Sequence, residues 1–207
     1  MSFYEEKIFP IGNNLISRRF FRHKENLLKS CKGNVLEIGF GAGLSLPFYP
    51  AAVTLVTGLE PNAGMRRMVE KSASFPPANI VAGVAEQLPF PDSSFDSVVS
   101  IFTLCSVTDL EKSVSEIKRV LKRDGRFYFI EHAVQPKPGP TRTIQNLIQP
   151  VWGKIGCGCH VNRDTLQALV GAGFKIEKLK SIGYSGFPNF LSPLYRGIAT
   201  KDQGSAV

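Results

Sequence analysis

The chain has 207 residues, 43% hydrophobic and 20% charged, which suits one α/β domain with a substantial core and leaves no room for a second. No apolar run approaches the roughly 20 residues that a spanning helix needs, and Glu5, Glu6 and Pro10 stand where a secretory signal would be basic and then apolar. Four cysteines are too few for a disulfide framework at this length, so a reducing, cytoplasmic setting is expected, while a net charge of +8 fits nucleic acid, an anionic membrane or plain solubility.

Seven basic residues (Lys7, Arg18, Arg19, Arg22, Lys24, Lys29, Lys32) face three acidic ones in residues 1–32, which is half of the net charge. Ile11, Leu15, Ile16 and Phe20, then Leu27 and Leu28, fall at helical spacing. The spacing predicts one or two helices, either a lid packed on the domain or an amphipathic segment lying on anionic lipid. The domain itself is expected over 33–207.

A regular alternation follows. Strands are expected at Val35–Ile38, Ala51–Leu59, Asn79–Val84, Phe95–Phe102 and Arg126–Ile130. Asn62 is placed to cap a helix through Ser72, and Asp109 one through Lys122 that Asp124-Gly125 would stop. Alternating strands and helices imply right-handed crossovers and a parallel sheet. The pattern breaks over 135–162, where Pro136, Pro138 and Pro140 open an excursion holding a short apolar segment and then Gly156-Cys157-Gly158-Cys159-His160. This insertion is expected to cover the site. Asn162 would cap a helix through Val170, and the last two strands are expected at Phe174–Leu179 and Tyr195–Thr200.

The chemistry starts at Val35–Gly43, a buried strand running into Gly39, Gly41 and Gly43. Bare backbone in such a turn lets a ligand approach closely. Glu60, followed by Pro61, stands at the end of the next strand, where a carboxylate can accept from both hydroxyls of a ribose. A dinucleotide turn places its last glycine where Leu44 stands. The third glycine here comes one residue early.

With Gly83-Val84-Ala85-Glu86-Gln87-Leu88-Pro89-Phe90 after the third strand, residues 33–132 resemble the class I S-adenosylmethionine-dependent methyltransferases, in the branch of the ubiquinone and menaquinone methyltransferases. The resemblance implies a Rossmann-like, doubly wound sheet of seven mostly parallel strands, the last one antiparallel, with helices on both faces. It implies S-adenosylmethionine as methyl donor, S-adenosylhomocysteine as product and no metal. Glu37, Gly39, Gly41, Gly43, Glu60, Pro61 and Thr103 would hold the cofactor, with Ala85 and Glu86 at its adenine. Leu104-Cys105-Ser106-Val107, Glu131-His132, Pro150-x-Trp152, Gly158-Cys159-His160-Val161-Asn162-Arg163 and Tyr195-Arg196-Gly197 further resemble the family whose animal members are membrane-associated thiol S-methyltransferases. Those members carry a hydrophobic N-terminal anchor, in contrast to the basic, amphipathic start here, which is closer to their soluble bacterial relatives.

Methyl transfer needs collinear positioning of donor and acceptor more than it needs a nucleophile. His132, at a strand end, is the candidate general base. Leu104, Glu131, Trp152, His160 and Arg163 are expected around a small, apolar acceptor. A thiol is favoured by resemblance, with a lipid amine (phosphatidylethanolamine) or a quinone carbon as alternatives. Nucleic acid is disfavoured, because Leu104-Cys105-Ser106-Val107 stands where base amino-methylases of this fold carry an Asn/Asp-Pro-Pro-aromatic motif. A non-catalytic cofactor binder is the remaining alternative. The C-x-C-H run at Cys157–His160 has no second Cys/His pair in the sequence, and a structural zinc usually takes two pairs.

Overall fold

A computed structural model of the chain describes residues 3–69, 76–183 and 194–202. A π turn over Tyr4–Ile8 leads into α1 (Phe9–Arg18) and α2 (Phe21–Leu28). Then come β1 (Gly33–Ile38), β2 (Val53–Leu59), α3 (Ala63–Val69), β3 (Ala78–Val81), β4 (Phe95–Ile101), α4 (Leu110–Val120) and β5 (Leu121–His132). The chain continues through α5 (Pro140–Ile155), α6 (Thr165–Gly171), β6 (Phe174–Ile182) and β7 (Leu194–Lys201). The end of the helix expected to reach Ser72 lies outside the described residues.

The seven strands form one sheet in the order β3-β2-β1-β4-β5-β7-β6. β1 to β5 run parallel, and β7 is antiparallel to both neighbours. Alternate residues of the central strands fill two apolar layers, as the strand period of two requires. Leu36, Val98, Phe127 and Phe129 meet Val114 and Ile117 of α4 and Leu169 of α6 on one face. Val35, Val99, Tyr128 and Ile130 meet Leu27 and Leu28 of α2 on the other. Each such side chain contributes about 1.5–3 kcal/mol on burial.

Local signals explain most of the boundaries. The Asn62 side chain accepts from the Met65 N–H at 3.1 Å, and Asp109 from Lys112 at 2.9 Å, so both caps form as expected. Two expectations are corrected. Asp164, rather than Asn162, caps α6, accepting from the Gln167 N–H at 3.0 Å, while the Asn162 amide is turned to Asn146. Asp124-Gly125 does not stop α4. The helix ends at Val120, and the pair sits in a bulge of β5, where the register against β4 shifts between Phe95 and Ser97.

The insertion holds a 16-residue helix, α5, with Pro140 in its first turn and Pro150 inside. Its inward face is mixed, with Ile148 and Trp152 packed on Cys105, Cys159 and Val161 beside two glutamines. Gln145 is buried and binds the backbone of Gln135 and Val161, and Gln149 binds Cys159 and Val161. Ile144, Leu147, Val151 and Ile155, one turn apart, are exposed.

Candidate active site

The carboxyl ends of β1, β2 and β4 open on a cavity of about 590 Å³ beneath α1. The turn after β1 forms its floor. Gly39 and Gly41 have φ of +65° and +60°, values that L side chains reach only at a cost. A Cβ on Gly39 would strike the Thr103 hydroxyl, whereas one on Gly41 would meet nothing closer than the Gly39 carbonyl at 4.0 Å and would stand in the cavity. Gly43, also at positive φ, faces Phe40, Leu46 and Val69 instead and does not line the cavity.

Glu60 closes the β2 side. Its Oε2 accepts the Gly41 N–H and its Oε1 the Asn62 N–H, both at 2.8 Å. Burial raises its carboxyl above the usual range, and those two N–H groups oppose the shift. A carboxylate has about four lone-pair sites; two here are spent, which leaves one on each oxygen for a pair of neighbouring hydroxyls. Pro61 and Ala85 line the cavity beside it. Glu86 lines it too, but its Oε1 accepts the Thr108 N–H at 2.7 Å, latching this loop to the start of α4.

At the other end Glu37 is buried, and desolvation raises its carboxyl against hydrogen bonding from Ser45 and the charge of Lys24. The Tyr49 hydroxyl donates to it at 2.8 Å. Lys24, from α2, lines the same end and is only 3% exposed. Its ammonium donates to Ser17 at 2.8 Å, and burial lowers it to about 8. This residue is absent from the sequence-derived set. The signal was there: Phe20, Lys24, Leu27, Leu28 and Cys31 share the buried stripe of α2, so Lys24 sits on the apolar face and not among the surface charges.

An acid beside a cation suits a zwitterionic amino-acid end, a carboxylate with spare lone pairs suits a ribose, and the open glycine floor admits close approach. The residues present therefore fit S-adenosylmethionine. Thr103 lines the cavity, and its hydroxyl donates to the Ile38 carbonyl at 3.1 Å, tying the β4 loop to β1.

The expected acceptor residues and the expected base lie elsewhere, as none of them is among the residues that line the cavity. Glu131 is buried beneath the β4 loop, accepting from Ser100 Oγ and from the N–H groups of Thr103, Leu104 and Cys105 at 2.6–3.1 Å. Arg163 grips the same loop by its carbonyls, at Leu104 and Val107. The His160 N–H donates to the Cys105 carbonyl at 2.7 Å. Leu104 is core. Trp152 packs on Cys105, Cys159 and Val161. The His132 ring is buried, with Nδ1 3.6 Å from Cys159 Sγ. The cavity wall that remains for an acceptor is built by Phe9, Asn13 and Asn14 of α1, Phe102, Ser106 and Cys157. Sequence reasoning missed these because α1 carries no motif and the wall forms only when the N-terminal segment folds over the sheet.

This fold and this cavity define a class I methyltransferase, and comparisons with known proteins agree. Residues 36–129 match the family model described as a methyltransferase domain. The chain is 31% identical over 174 residues to the human thiol S-methyltransferase TMT1B, covering 76% of this chain and 70% of that one. The rat protein of the same name is 32% identical over 163 residues, and the chain spans 66% of its length. It is also 37% identical over 128 residues to a phosphatidylethanolamine N-methyltransferase of Cereibacter sphaeroides, covering 60% and 62% of the two chains. A chain in the complex between the Haloferax volcanii Trm112 methyltransferase activator and a methyltransferase shares the fold, with TM-score 0.73, 16% identity and 95% of both chains covered. The chain belongs to the S-adenosylmethionine-dependent methyltransferases of class I.

Proposed function

We propose that the chain methylates a small apolar thiol held under α1. When bound, S-adenosylmethionine supplies an electrophilic methyl on a sulfonium. The chain supplies position: Glu60 takes the ribose hydroxyls, Lys24 and Glu37 take the carboxylate and ammonium of the methionine end, and Ala85 borders the adenine. Phe9 and Phe102 hold the acceptor and keep water out. Held groups of this kind can contribute on the order of 7–11 kcal/mol.

The observation that carries the choice of a thiol is the wall itself. None of His23, His132 and His160 is among the described residues that line the cavity. Of the carboxylates that do, Glu37 and Glu60 are assigned to the cofactor, and Glu86 and Asp109 accept the backbone N–H groups of Thr108 and Lys112. An acceptor that brings its own nucleophile fits such a wall, and a thiol is a few per cent thiolate near neutral pH. The test incubates the protein with methyl-labelled S-adenosylmethionine and, in parallel, small alkyl thiols, a quinone precursor, phosphatidylethanolamine vesicles and RNA. Label on the thiols is expected. Label on the lipid amine, the quinone ring or RNA and none on the thiols would overturn the reading.

A second reading concerns where the enzyme works. The end of α5, whose outward stripe is exposed, is tied to the π turn before α1 by the Tyr4 hydroxyl, which donates to the Ile155 carbonyl, and Ile8 of that turn and Ile11 and Leu15 of α1 are exposed. Lys7, Arg18, Arg22 and Lys154 are exposed around these stripes. No described helix is long and apolar enough to cross a membrane. Two apolar stripes flanked by cations fit the surface of an anionic bilayer. Co-sedimentation with vesicles containing anionic lipid, weakened by salt, is expected, and equal recovery with and without vesicles would remove this reading.

A further inference from the structure

His132, the expected base, belongs instead to a group outside the cavity. Cys105 comes from the loop after β4, His132 from the end of β5 and Cys159 from the turn after α5. All three are buried, and one donor atom from each lies within 4.8 Å of the other two. Cys105 Sγ is 3.6 Å from Cys159 Sγ, which is 3.6 Å from His132 Nδ1.

These separations can be compared with a coordination polyhedron. With Zn–S of about 2.3 Å and Zn–N of about 2.0–2.1 Å at tetrahedral angles, neighbouring sulfurs sit about 3.8 Å apart and sulfur and nitrogen about 3.5 Å apart. These two edges fall within about 0.2 Å of those values and the third lies within 4.8 Å, so two edges already match and the approach of Cys105 and His132 closes the set on an ion. Two sulfurs and an imidazole are a soft to borderline set, suited to zinc and not to calcium or magnesium.

The surroundings hold the donors in place. Gln149 holds the backbone that follows Cys159, donating to the Cys159 carbonyl and accepting the Val161 N–H. The His160 N–H binds the Cys105 carbonyl, and Glu131 binds the Cys105 N–H. On binding, both thiols would give up their protons to the ion. Ile148, Trp152 and Val161 pack around the group, and a single water would supply the fourth corner of the tetrahedron.

We infer that Cys105, His132 and Cys159 form a zinc site with three protein ligands, separate from the cofactor cavity, that clamps the β4 loop, the end of β5 and the α5 turn together. Ser106, next to Cys105, and Cys157, two residues before Cys159, line the cavity, so the clamp sets the wall against which the acceptor rests. The sequence hides the site because Cys105, His132 and Cys159 are 27 residues apart in three elements, and the adjacent C-x-C-H run contributes only one of its three candidate ligands.

The test uses the full chain, reduced and stripped of metal. Titration with Zn(II) is expected to saturate at a single ion per chain. Co(II) in its place is expected to give sulfur-to-metal charge-transfer absorption and the visible bands of a tetrahedral ion. Cys159→Ser and His132→Ala should each weaken binding beyond the roughly 10–100-fold typical of losing an outer partner, while Cys31→Ser leaves it unchanged. Should a variant fail to fold, the wild type still decides: bound zinc should protect Cys105 and Cys159 from alkylation, read by mass spectrometry, and a chelator should restore their reactivity. No uptake by the reduced protein, uptake that survives loss of these ligands, or zinc that leaves both thiols open to alkylation would overturn the assignment.

Discussion

Glu60 and Glu131 stand at the carboxyl ends of β2 and β5, two parallel strands of one sheet. Both are nearly inaccessible, and burial raises both carboxyls above the usual range. Glu60 accepts two backbone N–H groups and keeps lone pairs turned to the cavity. Glu131 accepts from four donors, all within its own fold. An acid at a strand end is therefore not in itself a ligand site; unused hydrogen-bonding capacity next to open space distinguishes the two.

The comparison breaks most visibly at Glu131. Glu131→Ala leaves the Thr103, Leu104 and Cys105 N–H groups without their acceptor, and stability should fall by about 3–5 kcal/mol. Urea denaturation that shows a loss under about 1 kcal/mol would put Glu131 outside the framework.

Lys24 tests the cavity side with the opposite sign. Its folded value of about 8 lies below the ordinary 10.5. As pH falls from 10.5 toward 8, the unfolded chain takes up the proton first, so stability from this group is largest above 10.5 and declines to a plateau below 8. The plateau cost is about 3 kcal/mol. Lys24→Met should be more stable than wild type at pH 7, with a difference that shrinks toward pH 10.5, and should bind S-adenosylmethionine more weakly. Equal affinity in calorimetry would remove Lys24 from the methionine end.

For Glu60→Ala the effect should fall on the ligand: affinity for S-adenosylhomocysteine lower by about 2 kcal/mol, roughly thirty-fold, with a smaller stability loss than at Glu131. Unchanged binding would end the ribose assignment. The smallest effect is expected at Arg163→Lys. Both carbonyls accept from the single Nη1 of Arg163, a position that the more strongly hydrated ammonium of a lysine fills less well, and the melting temperature should drop by an amount matching about 1 kcal/mol.

Much of the fold was legible because local rules and tertiary packing agreed. The alternation of elements, the Asn62 and Asp109 caps and the positive-φ glycines all follow from short-range chemistry. The cofactor side of the site was legible for the same reason, since Gly39, Gly41 and Glu60 lie within one strand-turn-strand unit. What could not be read depended on distant segments. α5 was obscured because Gln145 and Gln149 share its inward face with Ile148 and Trp152 while Ile144, Leu147, Val151 and Ile155 face outward, so no single apolar stripe marks it, and because Pro136, Pro138 and Pro140 open the segment. Lys24 was read as one charge in a basic run although the period of α2 places it inside. His132, Glu131 and Arg163 looked like site residues from their position at strand and loop ends. Only the assembled loop shows that they bind the protein itself.

The placement of α1 over the cavity bears on timing. Phe9, Asn13, Asn14 and Ser17 cover one side of the site, where a helix swinging between open and closed positions can meter the passage of a nucleoside-sized molecule. Such motions run on the microsecond-to-millisecond scale. Turnover would then follow how often the helix opens and not how fast sulfur meets carbon, and added viscogen should slow kcat while single-turnover methyl transfer inside the closed chamber keeps its rate.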